Sequence, residues 1–139
     1  MCGIVAYKGH KNCYPILLDG LHKLEYRGYD SAGVACLTEN GKIVVTKRSG
    51  KVKQLEEGLK KSNLIENCNG SGIAHTRWAT HGKPNQVNAH PHKDQSGNIV
   101  LVHNGIIENY DPIKKFLRSK KVKFKSETDT EVLVQLIGY

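Results

Sequence analysis

The chain has 139 residues, 38% hydrophobic and 24% charged, a balance that suits one globular domain with a real core and excludes a disordered segment. No apolar run approaches the roughly 20 residues that span a membrane. "GIVAY" is too short for a signal-peptide core and has no basic leader, so a cytoplasmic protein with no membrane partner is expected. The formal charge of +8 invites a nucleic-acid reading, but much of the excess lies in "KKFLRSKKVKFK" (Lys114 to Lys125). That stretch reads as a solvated helix face running into a strand, without stacking aromatics or a recognition motif, so no nucleic-acid partner is expected.

In chain order, "GIVAY" (Gly3 to Tyr7) predicts a short buried strand closed by "KGHKN". "CYPILLDGLHKLEYRG" predicts a helix with Pro15 in its first turn, one apolar or close-packing face of Ile16, Leu17, Gly20, Leu21 and Leu24, and Gly28 as its stop. "SAGVACL" and "KIVVTKR" flank "TENG", where Asn40-Gly41 suits a tight hairpin. "KVKQLEEGLKKS" predicts an amphipathic helix, and "GIAHTR" and "NIVLVHNG" two more strands. "NYDPIKKFLRSK" predicts a helix with Asp111-Pro112 as cap and first turn, and "SETDTEVLVQLIGY" a capped helix start running into apolar sequence. The order predicts an α+β layered fold with largely antiparallel sheets. Cys2, Cys13, Cys36 and Cys68 form no CxxC pair and no disulfide-dense pattern, so reduced thiols are expected.

Reactive side chains gather where strands end: Cys2, "EYRGYDSAG", "HTRWATHG", "NAHPH", "HNG" and "ETDTE". One constellation uses most of them. Cysteine is small enough for methionine aminopeptidase to remove Met1, which would leave Cys2 with a free α-amine beside its thiol. Their unperturbed pKa values, about 7.7–8.0 and about 8.5, let the amine take the thiol proton and later return it to a leaving amine. One residue then supplies nucleophile and base. A thiolate attacking an amide needs an oxyanion hole, and the Asn104 side-chain amide with the Gly105 N–H are donors of the right type. Arg77 can grip a carboxylate in bidentate fashion, and Asp129 can hold an ammonium.

"MCGIV", "LEYRGYDSAG", "HTRWATHG", "NAHPH", "VHNGIIEN" and "SETDTE", in this order, resemble the class II glutamine amidotransferases, from residue 2 to about 137. The resemblance implies an N-terminal-nucleophile hydrolase, a four-layer αββα sandwich with largely antiparallel sheets. It makes Cys2 the nucleophile that forms a γ-glutamyl thioester from L-glutamine, and Asn104 and Gly105 the oxyanion hole. Arg77 and Asp129 hold the glutamine α-carboxylate and α-amine. Trp78, Thr80 and His81 lie in a loop that closes over glutamine, and Arg27 in a loop packed near the nucleophile. "LEYRGYDSAG" and "HTRWATHGKP" favour the branch whose full enzymes, expected to be homodimers, pass ammonia to a C-terminal sugar-isomerase domain that binds fructose 6-phosphate. Residues 2–139 are then the N-terminal portion of the amidotransferase domain, with its remainder and the isomerase domain absent. Such a piece, alone, is expected to be weakly stable and inactive.

Blander readings stand beside these. Cys2 alone could be a small buried hydrophobe, Arg77-Trp78 a surface cation–π pair, Asp129 a helix N-cap and Asn104-Gly105 an ordinary turn. Cys13, Cys36 and Cys68 have no activating neighbour in sequence. His75, His81, His90 and His92 lack metallohydrolase spacing, so no metal and no cofactor is expected, and His90 and His92 read as braces of their loop. Two rival functions remain at this stage: a class II amidotransferase with another ammonia acceptor, and an inert basic nucleic-acid-binding or scaffolding module.

Overall fold

The computed structural model describes residues 1–62, 68–79 and 82–139, with the side chain of residue 69 outside the description. The first strand, β1 (Gly3–Asn12), runs five residues beyond the predicted one, because "KGHKN" continues the ladder against β4 (Asn69–Arg77) after a shift in register. Helix α1 (Cys13–Leu24) follows without a loop, its end tied by Asn12 Oδ1 accepting from the Tyr14 N–H. A 3-10 turn (Glu25–Arg27) and Gly28 end it.

Strands β2 (Ser31–Leu37) and β3 (Ile43–Ser49) form the predicted antiparallel hairpin. Helix α2 (Val52–Lys61) then packs on β3. The sheet order β1-β4-β2-β3 is antiparallel throughout, so β4 sits between two strands that precede it in sequence. Its helix-covered face carries the core: Tyr14, Leu17 and Leu21 from α1, Val34 from β2, Leu55 and Leu59 from α2, and Ala74 from β4, all fully buried. Burying each large side chain contributes about 1.5–3 kcal/mol before entropy is set against it.

The other face of the sheet carries the second half of the chain. A two-stranded sheet, β5 (His92–Lys93) with β6 (Val100–Leu101), packs against α4 (Asp129–Gly138), which in turn packs on α3 (Tyr110–Ser119). The layers therefore run helix, sheet, sheet, helix.

Several expectations are corrected here. "NIVLVHNG" holds only two strand residues, because the chain turns into the site after Leu101. No strand follows α3 among the described residues; Lys120 and Lys121 end the helix and residues 122–125 are irregular. Asn109, not Asp111, precedes the first helical residue of α3. Thr128 caps α4 by accepting from the Glu131 N–H, while Glu131 accepts from the N–H groups of Lys125 and Ser126, so Asp129 is the first helical residue and not the cap. Cys36 and Cys68 form a disulfide, with Cα atoms 5.8 Å apart, where reduced thiols were expected. Sequence spacing misses this pair because β2 and the residue leading into β4 become neighbours only through the sheet.

Candidate active site

Strand alternation decides which residues reach the site. In β4, Ala74 and Gly72 face α1, so His75 and Arg77 face the second layer. Gly33 stands opposite His75 across β2 and β4. The segment leading into β5 lies directly over it: a Cβ at Gly33 would sit 2.0 Å from the His90 carbonyl oxygen. The absence of a side chain there lets His90 come down beside His75, with ring centroids 4.2 Å apart and 14° between planes. His92 meets His90 edge-on at 4.8 Å.

In β1, Gly3 faces Leu24 of α1 and pairs with Thr76, whose hydroxyl accepts its N–H. Cys2, one residue earlier, turns the opposite way, toward the end of β4. Its Sγ accepts the Trp78 N–H at 3.1 Å and lies 3.4 Å from the Trp78 carbonyl oxygen. The Met1 amine donates to the Arg27 carbonyl at 2.5 Å, and the Arg27 guanidinium lies 3.8 Å from the Met1 sulfur. Gly28, at φ +105°, shapes the turn beneath: a Cβ there would lie 3.0 Å from the Trp78 ring.

After β6 the chain crosses to Cys2. Asn104 donates its side-chain N–H to the Cys2 carbonyl at 3.2 Å, and its Oδ1 lies 2.7 Å from His75 Nε2. Gly105 follows at φ +145°, a conformation that side-chain-bearing residues rarely adopt. Asp129, at the start of α4, accepts the Ile107 N–H at 2.7 Å and so fixes the far side of this loop.

A cavity of about 600 Å³ joins these groups, within the range of small-molecule sites. Cys2, Arg27, Arg77, Trp78, Asn104, Gly105 and Asp129, all singled out in the sequence, line it together. Thr80 and His81 lie outside the described residues. Trp78 is 53% exposed at the cavity's edge. Arg77 is 3% exposed and donates to the carbonyls of Gly82 and Lys83, with the Asp30 carboxylate 4.0 Å away. Asp30 also accepts the N–H of Ala79, so it ties the loop after β4 to the end of that strand.

Burial governs the electrostatics. It lowers the His75 pKa to about 4, against the opposing effect of the Asn104 hydrogen bond, and that of His92 to about 3, with Lys47 and Arg77 adding to the shift. His90 is pushed further down, by burial first and then by its two histidine neighbours. The three rings are neutral at pH 7, and no group of metal-ligating side chains able to hold an ion occurs among the described residues. Sequence reading missed Asp30 and the part His75 plays. Asp30 carried a signal in its place within "YRGYDSAG"; the His75 contact spans 29 residues and carried none.

Residues 56–138 match the family described as glutamine amidotransferase domain. The chain is 56% identical over 139 residues to the glutamine–fructose-6-phosphate aminotransferase (isomerizing) of Bacteroides thetaiotaomicron, and 55% identical over 138 residues to that of Aquifex aeolicus. It spans only 22% and 23% of their lengths, while they cover 100% and 99% of it. Among solved structures it is similar to the glutamine phosphoribosylpyrophosphate amidotransferase of Bacillus subtilis complexed with ADP and GMP, at TM-score 0.75 and 28% identity. A structure titled as the allosteric regulatory enzyme of purine biosynthesis matches at TM-score 0.77 and 29% identity. Each match covers 97% of this chain and 29% of the other.

Proposed function

The chain belongs to the glutamine amidotransferase domain family and has the α+β fold of the N-terminal-nucleophile amidotransferases, and from that premise we propose that it is the N-terminal part of a glutaminase domain whose nucleophile is Cys2. The observation that carries the reading is that Cys2, Asn104 and Gly105 line one cavity together with Arg77 and Asp129.

Removal of Met1 frees the Cys2 α-amine, which accepts the thiol proton. The thiolate attacks the side-chain carbonyl carbon of glutamine. The negative charge that forms on the carbonyl oxygen is stabilised by the Asn104 Nδ2–H and the Gly105 N–H; losing one such donor typically costs about 2.7–4 kcal/mol. The amine returns the proton to the departing nitrogen, ammonia leaves, and a γ-glutamyl thioester remains. Water attacks the thioester through a second oxyanion, glutamate departs and the thiol is restored. Arg77 and Asp129 hold the substrate's α-carboxylate and α-amine. Trp78, with Thr80 and His81 in the following loop, covers it, and Arg27 supports the N-terminal residue.

For the complete protein, we take fructose 6-phosphate as the ammonia acceptor and glucosamine 6-phosphate as the product, made by a sugar-isomerase module beyond this chain in a cytoplasmic homodimer. Identities of 55–56% to aminotransferases named for that acceptor, against 28–29% to the phosphoribosylpyrophosphate and purine-pathway enzymes, support this choice. The test is glutamate release from glutamine by the complete protein, with and without fructose 6-phosphate. Activity that persists in Cys2→Ala refutes the nucleophile. Glutamate release without glucosamine 6-phosphate formation refutes the acceptor.

A further inference from the structure

We propose that His75 is a positioning residue for the glutaminase reaction, its Nε2–H holding the Asn104 side chain in the one of its two amide orientations that aims nitrogen, and not oxygen, at the developing oxyanion. The inference rests on the reading of Cys2 and Asn104 above and adds a group that acts through Asn104 without touching substrate.

A primary amide is nearly symmetric in shape and opposite in polarity at its two ends. Rotating Asn104 by a half turn about its last side-chain bond would replace a hydrogen-bond donor beside Cys2 with an acceptor. The site would then repel the charge it must stabilise. Position on a loop does not prevent that rotation; on the cavity side the Cys2 carbonyl, which can only accept, takes the Nδ2–H at 3.2 Å and favours one orientation. The shorter contact is on the other side and acts in the same sense: Asn104 Oδ1 lies 2.7 Å from His75 Nε2, so the orientation is held from both ends of the amide. An oxygen there requires Nε2 to carry the ring proton.

His75 is built to hold that tautomer and that place. It is 1% exposed. Its ring is stacked flat on His90, which fixes its plane. Its Nδ1 is buried without a hydrogen-bond partner among the described residues; the His103 backbone beside the ring also favours a protonated nitrogen, and the short contact to Asn104 Oδ1 sets the proton on Nε2. The approach of His90 is itself allowed by Gly33, opposite His75 in the sheet. The chain of contacts thus runs from a bare glycine in β2, through two stacked imidazoles, to the amide that faces the nucleophile.

The experiment compares His75→Phe, which keeps a flat ring for His90 but removes the donor, with His75→Gln, which restores an N–H near the position of Nε2. In the complete protein, His75→Phe is expected to lower kcat for glutamate release by about 10²–10³-fold, the range for loss of one oxyanion donor. The KM for glutamine should stay within about threefold, since Arg77 and Asp129 are untouched. His75→Gln is expected to recover most of kcat. Equal losses in both variants, or a rise in KM that accounts for the loss, overturn the proposal, as does full activity in His75→Phe. Nitrogen NMR of the His75 ring supplies a reading that does not depend on turnover. A proton on Nε2 is expected, and a proton on Nδ1 overturns the proposal even if a variant fails to fold. Failure of the wild-type protein to release glutamate would instead refute the glutaminase reading, with the tautomer still deciding what His75 does to Asn104.

Discussion

Acidification from pH 7 to pH 5 should destabilise this fold through three neutral histidines. His75, His90 and His92 are buried in one cluster, with folded-state pKa values of about 4 for His75, about 3 for His92 and lower again for His90. In the unfolded chain each titrates near 6.5. Their folded values are depressed, so the unfolded state binds more protons below pH 6.5. Stability is therefore complete above that pH and falls as the pH drops, levelling only as the pH passes the folded values. At pH 5 each ring contributes a loss of about 2 kcal/mol, and the three together about 4–6 kcal/mol once their mutual contacts are allowed for. That is a large share of a typical domain stability of about 5–15 kcal/mol. Carboxylates such as Glu127 and Asp94, whose pKa values are lowered, lose their contribution only at lower pH, so the window from 7 to 5 isolates the histidines. Urea unfolding followed by circular dichroism at pH 7, 6 and 5 should show falling midpoints at constant slope. His90→Gln should make that pH dependence shallower by about one proton. A midpoint that does not move between pH 7 and pH 5 would refute the placement of three neutral imidazoles in the interior.

Three other outcomes follow from particular contacts. Gly33→Ala drives a Cβ into the His90 carbonyl; it should cost about 3 kcal/mol in urea unfolding, because backbone on both sides resists movement, and an unchanged midpoint would contradict the close approach of the layers. A protein that keeps Met1, or carries a tag before it, should release no glutamate, since the amine that serves as base is then acylated; mass spectrometry of the N-terminus paired with the glutamate assay checks this. Asp129→Asn should raise the KM for glutamine by about 10- to 100-fold, as expected for loss of a charge-assisted hydrogen bond of about 1.5–3 kcal/mol. The same variant keeps an acceptor for the Ile107 N–H, so its thermal midpoint should move by only a few degrees.

Elements of the site were legible because their chemistry is local. A cysteine behind the initiator methionine, "HNG" after an apolar run and "TDTE" at a helix start are each visible without knowledge of the rest of the chain, and it is their order together, not any one of them, that points to the family. The helices were legible for the same reason: apolar residues at helical spacing around Leu17 and Leu21 must be buried on one face, and they are. The strand read into "NIVLVHNG" failed because periodicity cannot tell a strand from a short ladder that breaks to carry Asn104 across to Cys2. The basic run after α3 likewise looked like a strand, and Lys121, at a positive φ of 66°, turns the chain away.

By itself the sequence determined which groups the chain can bring to chemistry and on which face of each strand they stand, since alternation is a property of the backbone alone. It also determined that removal of Met1 would leave an amine and a thiol on one residue, a pairing set by covalent structure alone. Only the tertiary structure decided which distant groups meet. The insertion of β4 between β1 and β2 joins Cys2 to Trp78, the bare surface at Gly33 admits His90, and the loop after β6 sets Asn104 between His75 and Cys2. Those contacts depend on packing between layers, where a few tenths of an ångström and the loss of water decide the outcome, and no local pattern in the chain encodes them.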